Sequence, residues 1–193
     1  FLSFGDTPDK GFCQLQGQIR MLEDGSYDFS YRSGYSDVMA TGGIAFLKAL
    51  NFSKTINEIF STAKLLFVGL GTGALPTIFR RHFPEASLDV IEIDPLVVKV
   101  AKEYFGFQSD LDTVQLFVKD VRHYLEDDSV YRQGSYDAIF FDIAHEDGLP
   151  TQLITPSFMQ KMASLLKPST GVMVSNVFKS FEQKTFNRVL KRF

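Results

Sequence analysis

An α/β fold built on a doubly wound, mostly parallel sheet is predicted by three features of the chain. Short apolar runs rich in β-branched residues recur from residue 64 onward, helical stripes separate them, and a glycine-rich turn stands where the first run meets the first stripe. The length of 193 residues suits a single core that buries about 70% of the surface an unfolded chain exposes. With 45% hydrophobic and 22% charged residues, the composition is that of an ordinary soluble domain and excludes a disordered or fibrous chain.

Strands are predicted at Leu65 to Gly69, Leu88 to Glu92, Val114 to Val118, Tyr136 to Asp142 and Gly171 to Val177. Their near-continuous apolar character is that of strands covered on both faces. Ala74, Leu75, Ile78 and Phe79 stripe the first intervening helix, and Val97, Val100, Ala101 and Tyr104 the second, at spacings of three and four. Asp94 before Pro95 marks the second helix start, since Asp caps free amides and Pro fits the first turn. Before residue 60, Phe12 to Leu22 and Ser26 to Tyr31 flank Asp24 and Gly25 and predict a small N-terminal β-hairpin appendage. A lead-in helix follows over Val38 to Leu50, although Gly42 and Gly43 each weaken it by about 1 kcal/mol relative to Ala. The expected division is therefore 1–60, hairpin and lead-in helix, and 61–193, the α/β domain. Helical periodicity over Phe181 to Phe193 ends the sequence, leaving an edge strand to manage; either C-terminal strands are missing or the fold is a short version.

Charge narrows the function classes. Twenty Lys and Arg against 23 Asp and Glu give a net charge of −3, which offers no basic footprint for nucleic acid. Cys13 is the single cysteine, so neither an internal disulfide nor a thiolate metal cluster can form, and the reducing cytoplasm is the simplest expectation. No apolar run approaches the roughly 20 residues of a membrane span. His82, His123 and His145 have no ligand-like spacing, so no metal site is expected.

The residues that carry chemistry cluster at predicted strand ends. Val68 to Gly73 reads VGLGTG at a strand-to-helix turn, where glycines permit positive φ and let a ligand approach the backbone, and the helix N-terminus favours an anionic group. Glu92 closes the second strand 19 residues after Gly73, the distance at which an acid meets ribose hydroxyls. Gly69, Gly71 and Ala74 also satisfy a relaxed dinucleotide fingerprint, so a nicotinamide cofactor stays open at this point. Asp120 follows the third strand, placed either to accept from an exocyclic amine or to cap the next helix. Asp142 closes the fourth strand. Ligands of open α/β sheets sit beyond the carboxyl ends of the strands, so Gly71, Glu92, Asp120 and Asp142 converge on one crevice.

These same stretches, VGLGTG, VIEIDPLVVKVAKEYFGF, KD at 119–120 and YDAIFFD, resemble the class I S-adenosylmethionine-dependent methyltransferases, and within them the spermidine synthase-like branch. The chain also resembles the elongation-factor-1-alpha N-terminal methyltransferase domain. The resemblance runs from about Gly11 to Val177 and implies a Rossmann-like fold, an S-adenosylmethionine or decarboxylated S-adenosylmethionine cofactor, and a homodimer. It implies that Gly69, Gly71 and Gly73 wrap the methionine part, Glu92 holds the ribose, Ile93 packs on adenine, Asp120 and the Val121 amide read the adenine edge, and Asp142 is catalytic. It places Tyr35 in a polyamine-like pocket.

Two departures distinguish the chain from spermidine synthases. Thr72 stands where they carry Asp in the glycine loop, and His145 where they carry a second Asp three residues beyond Asp142. A polyamine pocket needs several carboxylates to offset desolvation of its charges. Thr72 is expected to accommodate the carboxylate of the intact methyl donor, with His145 in the substrate loop. The leading expectation is therefore methyl transfer to an amine of a small molecule or protein, with aminopropyl transfer to a polyamine as the alternative. A nicotinamide-dependent dehydrogenase and a non-catalytic scaffold or dimerisation module are the remaining readings.

Overall fold

The computed structural model describes residues 2–4, 12–14, 18–23, 27–30, 34–127, 133–143 and 150–176. Four short strands open the chain. β1 (Leu2–Phe4) pairs antiparallel with β2 (Phe12–Gln14), and β3 (Gln18–Met21) pairs antiparallel with β4 (Tyr27–Ser30). The expected hairpin is present, but its first arm is split: only Gln18–Met21 faces the second arm, while Phe12–Gln14 pairs with a strand that the sequence did not signal.

α1 (Gly34–Leu50) starts one turn earlier than expected, and α2 (Ile56–Phe60) follows it. Gly43 is no weak point in α1, because a Cβ there would meet the Phe140 ring at 2.6 Å; the glycine lets the helix lie close on the sheet. A capping box holds α2, with the Thr55 hydroxyl accepting from the Glu58 amide and the Glu58 carboxylate accepting from the Thr55 amide.

The main sheet then alternates with helices: β5 (Lys64–Val68), α3 (Ala74–His82), β6 (Ser87–Glu92), α4 (Pro95–Phe105), β7 (Val114–Val118), α5 (Val121–Glu126), β8 (Ala138–Phe141), α6 (Pro156–Ser164) and β9 (Val172–Ser175). All pairings are parallel, in the order β7-β6-β5-β8-β9. The chain leaves β5 toward β6 and β7 on one side and returns to β8 and β9 on the other. The switch point lies between β5 and β8.

Alternation along β5 feeds two cores. Leu65 and Phe67 join the cluster formed with α1, α3 and α4, whereas Leu66 and Val68 join the one formed with α5 and α6. Phe67 stacks on Phe140 with centroids 5.1 Å apart, and Phe79 of α3 closes over both. Met39 and Leu47 of α1 and Phe60 of α2 belong to the first cluster, so the lead-in helix of 1–60 shares its core with 61–193. Among the described residues no helix is long and apolar enough to cross a membrane. The expected C-terminal helix over 181–193 and the last residues of the fifth strand, from Val177, lie outside the described residues.

Candidate functional site

A cavity of about 270 Å³ opens at the carboxyl ends of β5, β6, β7 and β8, at the switch point. Gly69, Leu70 and Gly71 form one side, Glu92, Ile93 and Val97 another, and Asp120, Val121 and Asp142 close it. Five of the site residues expected from sequence besides the glycines, Glu92, Ile93, Asp120, Val121 and Asp142, line this wall, each placed by its own local cause.

The glycine turn is shaped first by the protein itself. Gly69 has φ +96°, and a Cβ there would overlap the backbone carbonyl oxygen of Asp142, where β5 and β8 run close together. Gly73 has φ +79° and presses on Phe107, with 2.9 Å from an ideal Cβ to the Phe107 Cβ. Gly71, at φ +57°, lines the cavity. Thr72 is buried and is not part of the cavity wall, so the expected role of its hydroxyl in meeting a ligand carboxylate finds no support there. Gly73 likewise shapes the turn without lining the cavity.

Glu92, the last residue of β6, is buried, and its carboxylate ties two loops together. Oε2 accepts from the Leu70 amide at 3.0 Å, and Oε1 accepts from the Asp94 amide at 2.9 Å. A carboxylate has about four acceptor positions, so two remain after these bonds. Ile93 beside it is 64% exposed despite its apolar side chain and lines the cavity, as a platform for a flat apolar surface would. Asp94 caps α4 through Oδ1 on the Leu96 amide at 2.8 Å, with Pro95 in the first turn, as expected.

Asp120 is committed more fully than the sequence suggested. It caps α5 through Oδ1 on the Arg122 amide at 2.8 Å, and its two oxygens also accept from Arg122 Nε at 3.1 Å each and Nη2 at 2.5 Å. The Arg122 side chain beside it holds the Asp120 carboxyl below its ordinary value, more strongly than partial burial raises it. A ligand donor at Asp120 would share the carboxylate with that guanidinium. Val121 opens α5, and first-turn amides have no partner inside their own helix.

Asp142 follows β8 directly, and its amide donates to the Val68 carbonyl at 2.9 Å. Its Oδ1 accepts from Asn176 Nδ2 at 3.3 Å, and the Asn176 amide donates to the Phe141 carbonyl at 3.1 Å. Asn176, buried at the end of β9, thus steadies Asp142 from the neighbouring strand. Sequence reasoning missed it, together with Lys119, Arg122 and Leu153, which also line the cavity. Tyr35 stands in the first turn of α1, but its side chain lies outside the described residues, as does His145.

The spermine/spermidine synthase domain model matches residues 53–192. The chain belongs to this spermine/spermidine synthase domain family. A solved structure of human methyltransferase-like protein 13 in complex with SAH is similar to this family member at 30% identity and a TM-score of 0.67, covering 83% of this chain and 71% of that one. The polyamine aminopropyltransferase of Vibrio vulnificus is 33% identical over 67% of this chain and 44% of its own. Human eEF1A lysine and N-terminal methyltransferase is 37% identical over 58% of this chain and 17% of its own. This family member thus spans less than half the length of either curated relative.

Proposed function

We propose that the chain is an S-adenosylmethionine-dependent transferase of the spermidine synthase-like branch that methylates an amine on a small molecule or protein. The observation that carries the reading is the switch-point cavity with the buried Glu92 carboxylate in its wall and the exposed Ile93 at its side. The two acceptor positions left on Glu92 match the two hydroxyls of a ribose, and Ile93 offers a purine an apolar face. The human relative solved with SAH supports the same ligand class.

In this reading Gly69 and Gly71 border the methionine portion, with Thr72 and Gly73 shaping the turn behind them. Glu92 grips the ribose, Ile93 packs on adenine, and the Val121 amide with Asp120 meets the adenine edge. Bound there, the sulfonium supplies a carbon already activated for displacement, its bonding pair leaving on sulfur. What remains for the protein is chiefly positioning, which can contribute roughly 7 to 11 kcal/mol. Asp142, oriented by Asn176, holds the acceptor nitrogen and takes its proton as the new N–C bond forms. Tyr35 and His145 are proposed for the acceptor side on family resemblance, as are cytoplasmic residence and a homodimer.

The cavity wall favours methyl over aminopropyl transfer. Of its described acids, Glu92 stands where the ribose is placed and Asp120 pairs with Arg122, while Lys119 in the same wall pairs with Asp127. That leaves Asp142 to meet a cation, whereas a polyamine carries several charges that each need an acid on burial. Aminopropyl transfer stays as the second reading because of the Vibrio relative. Parallel assays with methyl-labelled S-adenosylmethionine and with decarboxylated S-adenosylmethionine, over protein and polyamine acceptors, separate the two. Label transfer to a monoamine or protein lysine is the expected result; turnover confined to the decarboxylated donor and a polyamine would reverse the assignment.

A further inference from the structure

Asn176, directly after β9, is only 8% exposed, and half of its side-chain amide is unused. Its Nδ2 donates to Asp142 Oδ1 at 3.3 Å, and because an ionised carboxylate only accepts, that contact also decides which end of the amide is nitrogen. Among the described residues none donates to the other end, Oδ1. A buried amide carbonyl without a donor is unfavourable, and a donor on a ligand relieves it. Building on the transferase reading, we infer that Asn176 Oδ1 accepts one N–H of the acceptor amine while Asp142 takes another, so that the site selects primary amines over tertiary ones.

Strand register sets the two groups side by side. Phe140 of β8 pairs with Val174 of β9, and both lie against Gly43 of α1. Two residues on, Asp142 and Asn176 return to the same side of the sheet, and the Asn176 amide holds that register by donating to the Phe141 carbonyl at 3.1 Å. The pair thus stands after β8 and β9, away from Glu92 on β6 where the ribose is placed. An incoming amine approaches the donor from outside the adenosine, and Asp142, which lines the cavity, marks that side.

Two acceptors on one nitrogen discriminate by the number of hydrogens it carries. In either protonation state a primary amine has at least two N–H bonds, and a tertiary amine has at most one. During transfer the nitrogen lone pair forms the N–C bond, the C–S pair leaves on sulfur and one proton passes to Asp142, while the second N–H stays on Asn176 Oδ1. A tertiary amine leaves one of the two oxygens without a donor. A residue that only positioned Asp142 would instead affect every amine alike.

NMR titration of n-butylamine and of N,N-dimethylbutylamine into the whole chain loaded with S-adenosylhomocysteine tests this, in wild type and in Asn176→Leu. The wild type is expected to bind the primary amine about 10-fold more tightly than the tertiary one, and the leucine variant to narrow that ratio to about 2-fold or less. The wild type alone gives a second readout, because the Asn176 side-chain amide signal should move with n-butylamine and hold still with the tertiary amine. A ratio that Asn176→Leu leaves unchanged, with both amines weakened equally, would reduce Asn176 to a support for Asp142 and overturn the inference. Equal binding of the two amines by the wild type, or binding of neither by a chain that does hold S-adenosylhomocysteine, would overturn it too, with the cofactor site intact. A folded chain that does not take up S-adenosylhomocysteine would bring down the transferase reading and this inference together.

Discussion

β6 carries an acid near each end, and their surroundings differ in kind. Asp89, toward the amino end, sits in a side-chain network: Tyr136 donates its hydroxyl to Oδ2 at 2.5 Å, Lys64 Nζ lies 3.0 Å from the same oxygen, and the Tyr136 oxygen accepts from Tyr124. Burial and the Asp89 charge push the Tyr136 hydroxyl far up, so it stays a donor at any physiological pH. Asp137 nearby is likewise enclosed, by the Lys64 amide and Lys167 Nζ. Three residues after Asp89, at the carboxyl end, Glu92 is held by two backbone amides. An acid matched by a cation and a hydroxyl is consumed by the fold. An acid fixed by main-chain amides keeps its place and retains acceptor positions for a visitor.

Substitutions at the two ends should separate these roles, beginning with the harshest. Gly69→Ala should cost about 4 kcal/mol or more even without ligand, through strain at φ +96° and overlap with the Asp142 carbonyl; urea unfolding measures it, and a loss confined to ligand binding would mean the glycine serves the ligand alone. Asp142→Asn should lower kcat by about 10²- to 10⁴-fold while leaving cofactor affinity near wild type, as read by steady-state kinetics beside a binding titration. Asp89→Ala should destabilise by about 3 kcal/mol, because it strands Lys64 and two buried hydroxyls, yet leave ligand affinity of the folded fraction intact.

A smaller effect is expected at Asp120. Its carboxyl is depressed in the folded state, so its contribution to stability is present above the unfolded value and lost as pH falls through the folded one. Arg122→Ala should move that loss to higher pH, seen as an upward shift of the Asp120 carboxyl carbon titration by NMR; an unmoved titration would remove Arg122 as the cause.

The sequence made the parallel sheet legible because each strand is an apolar run bounded by a turn, and five strands were found within two residues of their described ends. Asp94 and Pro95 gave the α4 start for a local reason, since cap and first turn are adjacent residues. β1 escaped notice because a three-residue strand has no periodicity to read. α2 was overlooked although Thr55 and Glu58 spell a capping box, a signal that was available. The convergence of Gly71, Glu92, Asp120 and Asp142 was readable from strand ends. The Asn176 contact with Asp142 was not, as it joins residues 34 apart across two strands. Thr72, expected beside a ligand carboxylate, is buried and stands outside the cavity wall, a placement that the glycine pattern does not reveal.

Calorimetric titration of S-adenosylhomocysteine into wild type and Glu92→Gln puts the adenosine site to its most direct test. One molecule should bind per wild-type chain, and the glutamine variant, which loses one of the two backbone-amide bonds and unfolds at a lower midpoint, should while folded bind about 10- to 100-fold more weakly, since hydrogen bonds to a charged group contribute about 1.5–3 kcal/mol. Equal affinity in the two proteins, or no binding by a folded wild type, would contradict a ribose held by Glu92.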